Sequence, residues 1–405
     1  MTRHLGAAPP ENPPRSRETP RPLTSERVSR IPASGIRRFF DLIAGVEGAI
    51  SLGVGEPDFV TPERFREAAI RSIKDGKTKY TSNYGIKPLR EAISEHTAKL
   101  RGVRYDVDRE IIVTVGVSEA VDLAMRATLN EGDEVILADP SYVAYVPGIV
   151  LAGGVPVAVP TREEADFRLR PDDVRAAITP RTRAILLGFP NNPTGAVLEK
   201  EDIDGIAALA AEHDLLVYAD EIYDRLVYGT EHHSILSAPG MKERTIYLAG
   251  FSKSYAMTGW RVGYACAPAE IIEQMMKIHQ YTVMCVPTAA QYAALEALRT
   301  GEPEVQRMVG EYDKRRQYMW RRFNDMGLRC FEPRGAFYCF PNITSTGLSD
   351  DEFCERLLKE ERVVVVPGNA FGALGRGHVR ACYASSMEQI AEASDRIERF
   401  VNRTR

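Results

Sequence analysis

Gly250-Phe251-Ser252-Lys253-Ser254-Tyr255-Ala256-Met257-Thr258-Gly259-Trp260-Arg261-Val262-Gly263 brings a lysine, a turn and an arginine together in close succession. Just before it, Thr245-Ile246-Tyr247-Leu248-Ala249 is a β-rich apolar run that reads as a buried strand delivering the lysine at its end. Among apolar neighbours an ammonium is poorly solvated, so its pKa falls and the free amine becomes a nucleophile toward an aldehyde. Arg261 follows eight positions later, beyond a turn at Met257-Thr258-Gly259, and offers a fixed cation for a phosphate. A Schiff-base lysine beside a phosphate anchor is one reading. A plain structural ion pair at a strand end is the other, and the rest of the chain has to separate them.

Upstream, apolar runs at 111–115, 134–138, 155–159, 184–188 and 215–219 read as strands, alternating with helical spacings at 117–129, 146–152 and 203–213. That alternation predicts an α/β fold, a mostly parallel sheet covered by helices on both faces. Ligands bind such sheets beyond the carboxyl ends of the strands, and Asn192, Asp220 and Lys253 each fall just past one. Gly116 breaks a strand, and the helix opening at Ser118 presents free N–H groups suited to a phosphate; an ordinary junction capped by Ser118 is the bland alternative. Gly53-Val54-Gly55-Glu56-Pro57-Asp58 is a bend where backbone can approach a small ligand, or a simple turn.

Further helices are expected at 36–46, 62–74, 89–100, 269–279, 289–298 and 304–326. Strands at 336–340, 363–366 and 378–383, with helices between and a closing helix after Met387, suggest a smaller α+β domain. The division expected is a proline- and arginine-rich disordered tail over 1–25, an N-terminal segment over 26–60 joining the small domain, a large domain over 61–298 and the small domain over 299–405.

With 44% hydrophobic and 27% charged residues and a net charge of -4 over 405 residues, the chain has no bias toward nucleic acid or an anionic membrane, and none is expected as partner. No apolar run approaches the ~20 residues of a spanning helix. Six scattered cysteines predict reduced thiols in a cytoplasmic protein, with no metal site. The adjacent His232-His233 reads as a solvated surface pair.

Gly55-Glu56-Pro57-Asp58-Phe59, Asn191-Asn192-Pro193-Thr194-Gly195, Asp220-Glu221-Ile222-Tyr223 and Ser252-Lys253 with Arg261, in that order, resemble the class I/II aminotransferases of fold type I. The resemblance runs from about residue 31 to the C-terminus. It implies pyridoxal 5'-phosphate as cofactor, held by Lys253 as an aldimine, with Lys253 then moving the proton at the substrate α-carbon. By the same resemblance Asp220 faces the ring nitrogen, and Tyr223 and Asn192 meet the phenolic oxygen. Tyr142 and Ile222 would cover the two ring faces, while Val117, Ser118, Glu119, Ser252 and Arg261 line the phosphate side. Tyr80 would reach the phosphate of a neighbouring subunit, implying a homodimer. Arg380 would take the substrate carboxylate as a bidentate pair, with Gly55 against the substrate.

Aspartate-preferring relatives often carry a lysine where this chain has Ser118, and an amide is common where it has Glu119. The segment Ile36-Arg37-Arg38-Phe39-Phe40 resembles that of relatives with broad or aromatic specificity. The expectation is therefore an aminotransferase with ping-pong kinetics, of broad or aromatic preference, with a 2-oxo acid such as 2-oxoglutarate as acceptor. The alternatives are an aspartate aminotransferase, or a cysteine-sulfur β-lyase on the same fold. A cofactor-sensing regulator is disfavoured, because the first 25 residues are too few and too proline-rich for a DNA-binding module.

Overall fold

The computed structural model describes residues 23–31 and 47–404. Leu23 to Ile31 carry one helical turn, Glu26–Ser29, and belong to a unit of their own; residues 47–404 lie in a second, compact unit. The helix expected over 36–46, the segment Ile36 to Phe40 and the tail up to residue 22 lie outside the described residues.

After a short strand β1 (Ile50–Ser51), seven strands build the main sheet: β2 (Ile111–Thr114), β3 (Glu134–Asp139), β4 (Val155–Pro160), β5 (Thr182–Gly188), β6 (Leu216–Asp220), β7 (Thr245–Gly250) and β8 (Gly263–Cys266). Their order is β2-β8-β7-β6-β5-β3-β4. All run the same way except β8, which pairs antiparallel with both β2 and β7. The central strands are apolar because helices cover both faces; Ile185, Val217 and Ile246 are wholly buried, at roughly 1.5–3 kcal/mol each. Helix Gly116–Thr128 packs on β7, β8 and helix Ala269–Thr282, while helices Glu63–Lys74 and Thr288–Thr300 pack together.

The later chain makes two small sheets from β9 (Tyr338–Cys339), β10 (Val363–Val364), β11 (Val366–Pro367) and β12 (Val379–Cys382): β1 pairs parallel with β10, and β11-β12-β9 is antiparallel. The expected strand over 336–340 is reduced to two residues, since Ala336 takes a left-handed backbone (φ 57) that breaks the ladder. Helices Glu302–Asp325, Asp350–Glu361 and Met387–Thr404 close over these strands around an apolar core that includes Tyr312, Phe353 and Phe400. No helix among the described residues is long and apolar enough to cross a membrane.

Candidate active site

Because β2, β3, β5, β6 and β7 point one way, the loops after them converge, and they line one cavity of about 790 Å³. Lys253 arrives three residues after β7. Its Nζ donates to the Gly55 carbonyl at 2.5 Å and lies 5.7 Å from the Tyr223 ring centroid and 5.5 Å from that of Phe337. Burial pulls its pKa down to about 8, so near physiological pH the amine is neutral far more often than an exposed lysine, whose pKa lies at ~10.4.

Asp220 is the last residue of β6 and is buried. Its two oxygens accept from the Tyr145 hydroxyl at 2.9 Å and the Ile222 N–H at 3.2 Å. Burial nevertheless pushes its carboxyl up to about 6, leaving an anion whose charge two hydrogen bonds only partly offset. The turn that follows is pinned from behind. Buried Glu221 accepts from Arg101 at 3.1 Å and Ser234 at 2.5 Å and meets His232 at 2.7 Å, while Arg101 also bonds Asp224. His232 is therefore tucked against a carboxylate, not solvated as expected, because Glu221 needs partners once buried.

Beyond β5 the two asparagines divide their tasks. Asn191 accepts from the Thr194 N–H at 3.2 Å and hydroxyl at 2.9 Å, which shapes the turn and frees Asn192 to face the cavity. Asn192 Oδ1 accepts from Arg380 at 2.8 Å; the same guanidinium donates to the Gly53 carbonyl at 2.6 Å. Arg380 lies over the Tyr338 and Phe371 rings at 4.5 and 4.8 Å, and its Nε is buried without a partner. Such a cation is held open for an anion.

At the other end of the cavity, Gly250 and Gly263 face each other across β7 and β8. A Cβ at Gly250 would lie 2.9 Å from Val117 Cγ2, and one at Gly263 would lie 2.6 Å from the Val117 nitrogen. The paired glycines thus let the positive end of helix Gly116–Thr128 dock directly on the sheet. Arg261, in a left-handed backbone (φ 54), lies against Gly116, and Val117, Ser118, Ser252 and Arg261 share this wall. A cation beside a helix N-terminus suits a phosphate.

Gly55, Val117, Ser118, Tyr142, Asn192, Asp220, Ile222, Tyr223, Ser252, Lys253, Arg261 and Arg380 all line this cavity. Two residues singled out from the sequence do not. Glu119 turns away: its carboxylate accepts the Val115 N–H at 2.5 Å and meets buried His279 at 2.8 Å, so it caps the helix where Ser118 was the alternative. Tyr80 is 82% exposed and outside the cavity of its own chain. Tyr145 and Tyr338 also line the cavity and carried no signal in the sequence beyond their residue type.

Residues 47–397 match the family model described as aminotransferase class I and II. The chain belongs to that family. It is 47% identical to aromatic-amino-acid aminotransferase 2 of Thermococcus litoralis, over 93% of this chain and 98% of the relative. It is 46% identical to an aspartate aminotransferase of Pyrococcus abyssi, with the same coverage. Among solved structures it superposes on an aromatic aminotransferase from Pyrococcus horikoshii OT3 with a TM-score of 0.87 at 46% identity, covering 91% of this chain and 99% of that one. It is a pyridoxal-phosphate-dependent aminotransferase, acting on amino and oxo acids. Three features of the donor set suit that cofactor: a buried amine that loses its proton easily, a buried carboxylate short of positive partners, and a cation at a helix N-terminus. When bound, pyridoxal phosphate supplies the electron-withdrawing ring that makes the proton on an amino acid's α-carbon acidic.

Proposed function

We propose that this aminotransferase moves the amino group of an L-amino acid, with broad or aromatic preference, to a 2-oxo acid such as 2-oxoglutarate, in ping-pong fashion. Lys253 holds the cofactor and moves the proton at the substrate α-carbon; its lowered pKa suits a base working near neutral pH. Asp220 faces the ring nitrogen, Tyr223 and Asn192 serve the phenolic oxygen, and Tyr142 and Ile222 cover the ring. Val117, Ser118, Ser252 and Arg261 hold the phosphate, with Glu119 shaping that helix end. Arg380 takes the α-carboxylate, and Gly55 borders the substrate.

One observation carries the preference. Among the described residues that line the cavity the cations are Lys253, Arg261 and Arg380, and each is engaged by these roles. No fourth cation among them is left to favour a side-chain carboxylate over an aromatic ring, whereas Val54, Val121 and Leu151 offer apolar wall and Asp122 a negative charge; an acceptor such as 2-oxoglutarate meets the same lining and is held through the carboxylate beside its oxo group at Arg380. The aspartate reading is favoured by the relatives that carry that name. Comparing kcat/KM for phenylalanine and aspartate separates the two: a large preference for aspartate rejects the aromatic reading. Pyruvate and ammonia released without an acceptor would point instead to a β-lyase.

The exposed Tyr80 supports a homodimer in which it crosses to the partner's phosphate. The six cysteines are free, five of them buried, which supports a reduced, cytoplasmic setting. The division into a large domain over 61–298 and a small one over 299–405, with the segment 26–60 joining the small domain, is supported by the separate short sheets and by the pairing of β1 with β10.

A further inference from the structure

Tyr338 is fully buried and lines the cavity, yet none of the roles above uses it. Its hydroxyl lies 2.7 Å from the Tyr223 hydroxyl. Its ring faces the Arg380 guanidinium at 4.5 Å. Its hydroxyl end also occupies the space a side chain on residue 55 would need: a Cβ on Gly55 would collide with it. The carbonyl of that glycine accepts from Lys253. One side chain therefore touches the phenol, the guanidinium and the backbone segment that holds the amine.

We propose that Tyr338 is a positioning residue that donates its hydroxyl proton to Tyr223 and braces Arg380 with its ring, setting both ends of the site together. The inference rests on the roles proposed for Tyr223 and Arg380. If Tyr338 donates, the Tyr223 proton is left free to point into the cavity toward an oxygen anion. A phenol that already accepts a hydrogen bond is a stronger donor, so Tyr223 then stabilises that anion better. The ring does a separate task. Arg380 makes only two hydrogen bonds and leaves Nε unpartnered, so the Tyr338 and Phe371 faces fix its plane. A guanidinium held flat meets a carboxylate with both arms, which a mobile one does only part of the time.

The two tasks separate by substitution in the holoenzyme. Tyr338→Phe keeps the ring and deletes the hydroxyl. The pH midpoint of the bound cofactor's visible absorption should rise by about half a unit to one unit, the worth of one hydrogen bond. Binding of 3-phenylpropionate, a carboxylate without a reacting amine, should stay within about twofold. Tyr338→Leu removes the ring as well, and 3-phenylpropionate should bind roughly tenfold more weakly. A Tyr338→Phe midpoint unchanged, while Tyr223→Phe moves it, overturns the hydroxyl half and leaves the Tyr223 role intact. A Tyr338→Leu affinity within twofold of the parent, while Arg380→Ala abolishes binding, overturns the ring half and leaves the Arg380 role intact. If Tyr223→Phe and Arg380→Ala both change nothing, the proposed roles fail and the inference with them. Circular dichroism matching the parent identifies variants that fold, and Tyr338→Phe, which removes a single oxygen, is the variant on which the hydroxyl half is judged.

Discussion

Asp220→Asn should make the cofactor-free protein more stable at neutral pH while destroying its activity. Burial raises the Asp220 carboxyl to about 6, against roughly 3.9 in an unfolded chain. The folded state therefore binds a proton that the unfolded state has released, and between about pH 4 and 6 stability falls as pH rises. The gap of about two units, at about 1.4 kcal/mol each, makes the ionised group cost on the order of 3 kcal/mol at pH 7. Asparagine keeps the geometry without the charge: its carbonyl can accept from the Ile222 N–H and its amide can donate to the Tyr145 oxygen. Thermal unfolding of the cofactor-free proteins should show Asp220→Asn higher by roughly 3–6 °C at pH 7 to 8, with the difference closing toward pH 4. Transamination should fall by roughly 10²–10³, as when a preorganised charge is removed from an active site. A variant less stable than the parent at pH 7, or a difference that does not change with pH, refutes the reasoning.

Other perturbations bear on the neighbouring groups. In cofactor-free protein, reductive methylation of Lys253 should rise with a midpoint near pH 8, where exposed lysines titrate near ~10.4; a midpoint above 10 contradicts the burial argument. Gly55→Ala drives a methyl into the Tyr338 hydroxyl and should cost about 1–3 kcal/mol in denaturant unfolding, with part of the loss recovered in the double variant Gly55→Ala/Tyr338→Phe. Arg101→Ala leaves Glu221 and Asp224 without their shared cation and should cost about 3–5 kcal/mol, since both carboxylates are largely buried; a loss under 1 kcal/mol would mean that His232 and Ser234 suffice.

The main sheet was legible because its strands are buried on both faces and so spell continuous apolar runs, Leu216 to Ala219 most clearly. β8 leaves no such pattern: Gly263-Tyr264-Ala265-Cys266 is four residues long, starts on glycine and directly follows a loop. In the small sheets the strands are shorter than the apolar runs predict, since Val363 to Pro367 contributes to two different sheets with a break at Val365. Within the site, residues at strand ends could be placed from the pattern, because topology alone gathers Asn192, Asp220 and Lys253. Side-chain direction could not. Glu119 sits in the right turn of the right helix and still points backward, drawn by a free N–H and a buried histidine. Tyr145 and Tyr338 act through hydroxyls whose partners lie 75 and 115 residues away, a relation no local pattern encodes.

The pairing of Gly250 with Gly263 has a consequence for how such a chain can change over time. Lys253 and Arg261 ride on a single excursion whose two feet are in register across β7 and β8, with the Phe251 N–H donating to the Val262 carbonyl at 3.3 Å, so the span between amine and guanidinium is fixed by the number of residues in that loop. An insertion or deletion there would shift one relative to the other and break the fit to any ligand touching both. Substrate range is free to drift through the distant walls near Val54 and Leu151, while this short arch must keep its length.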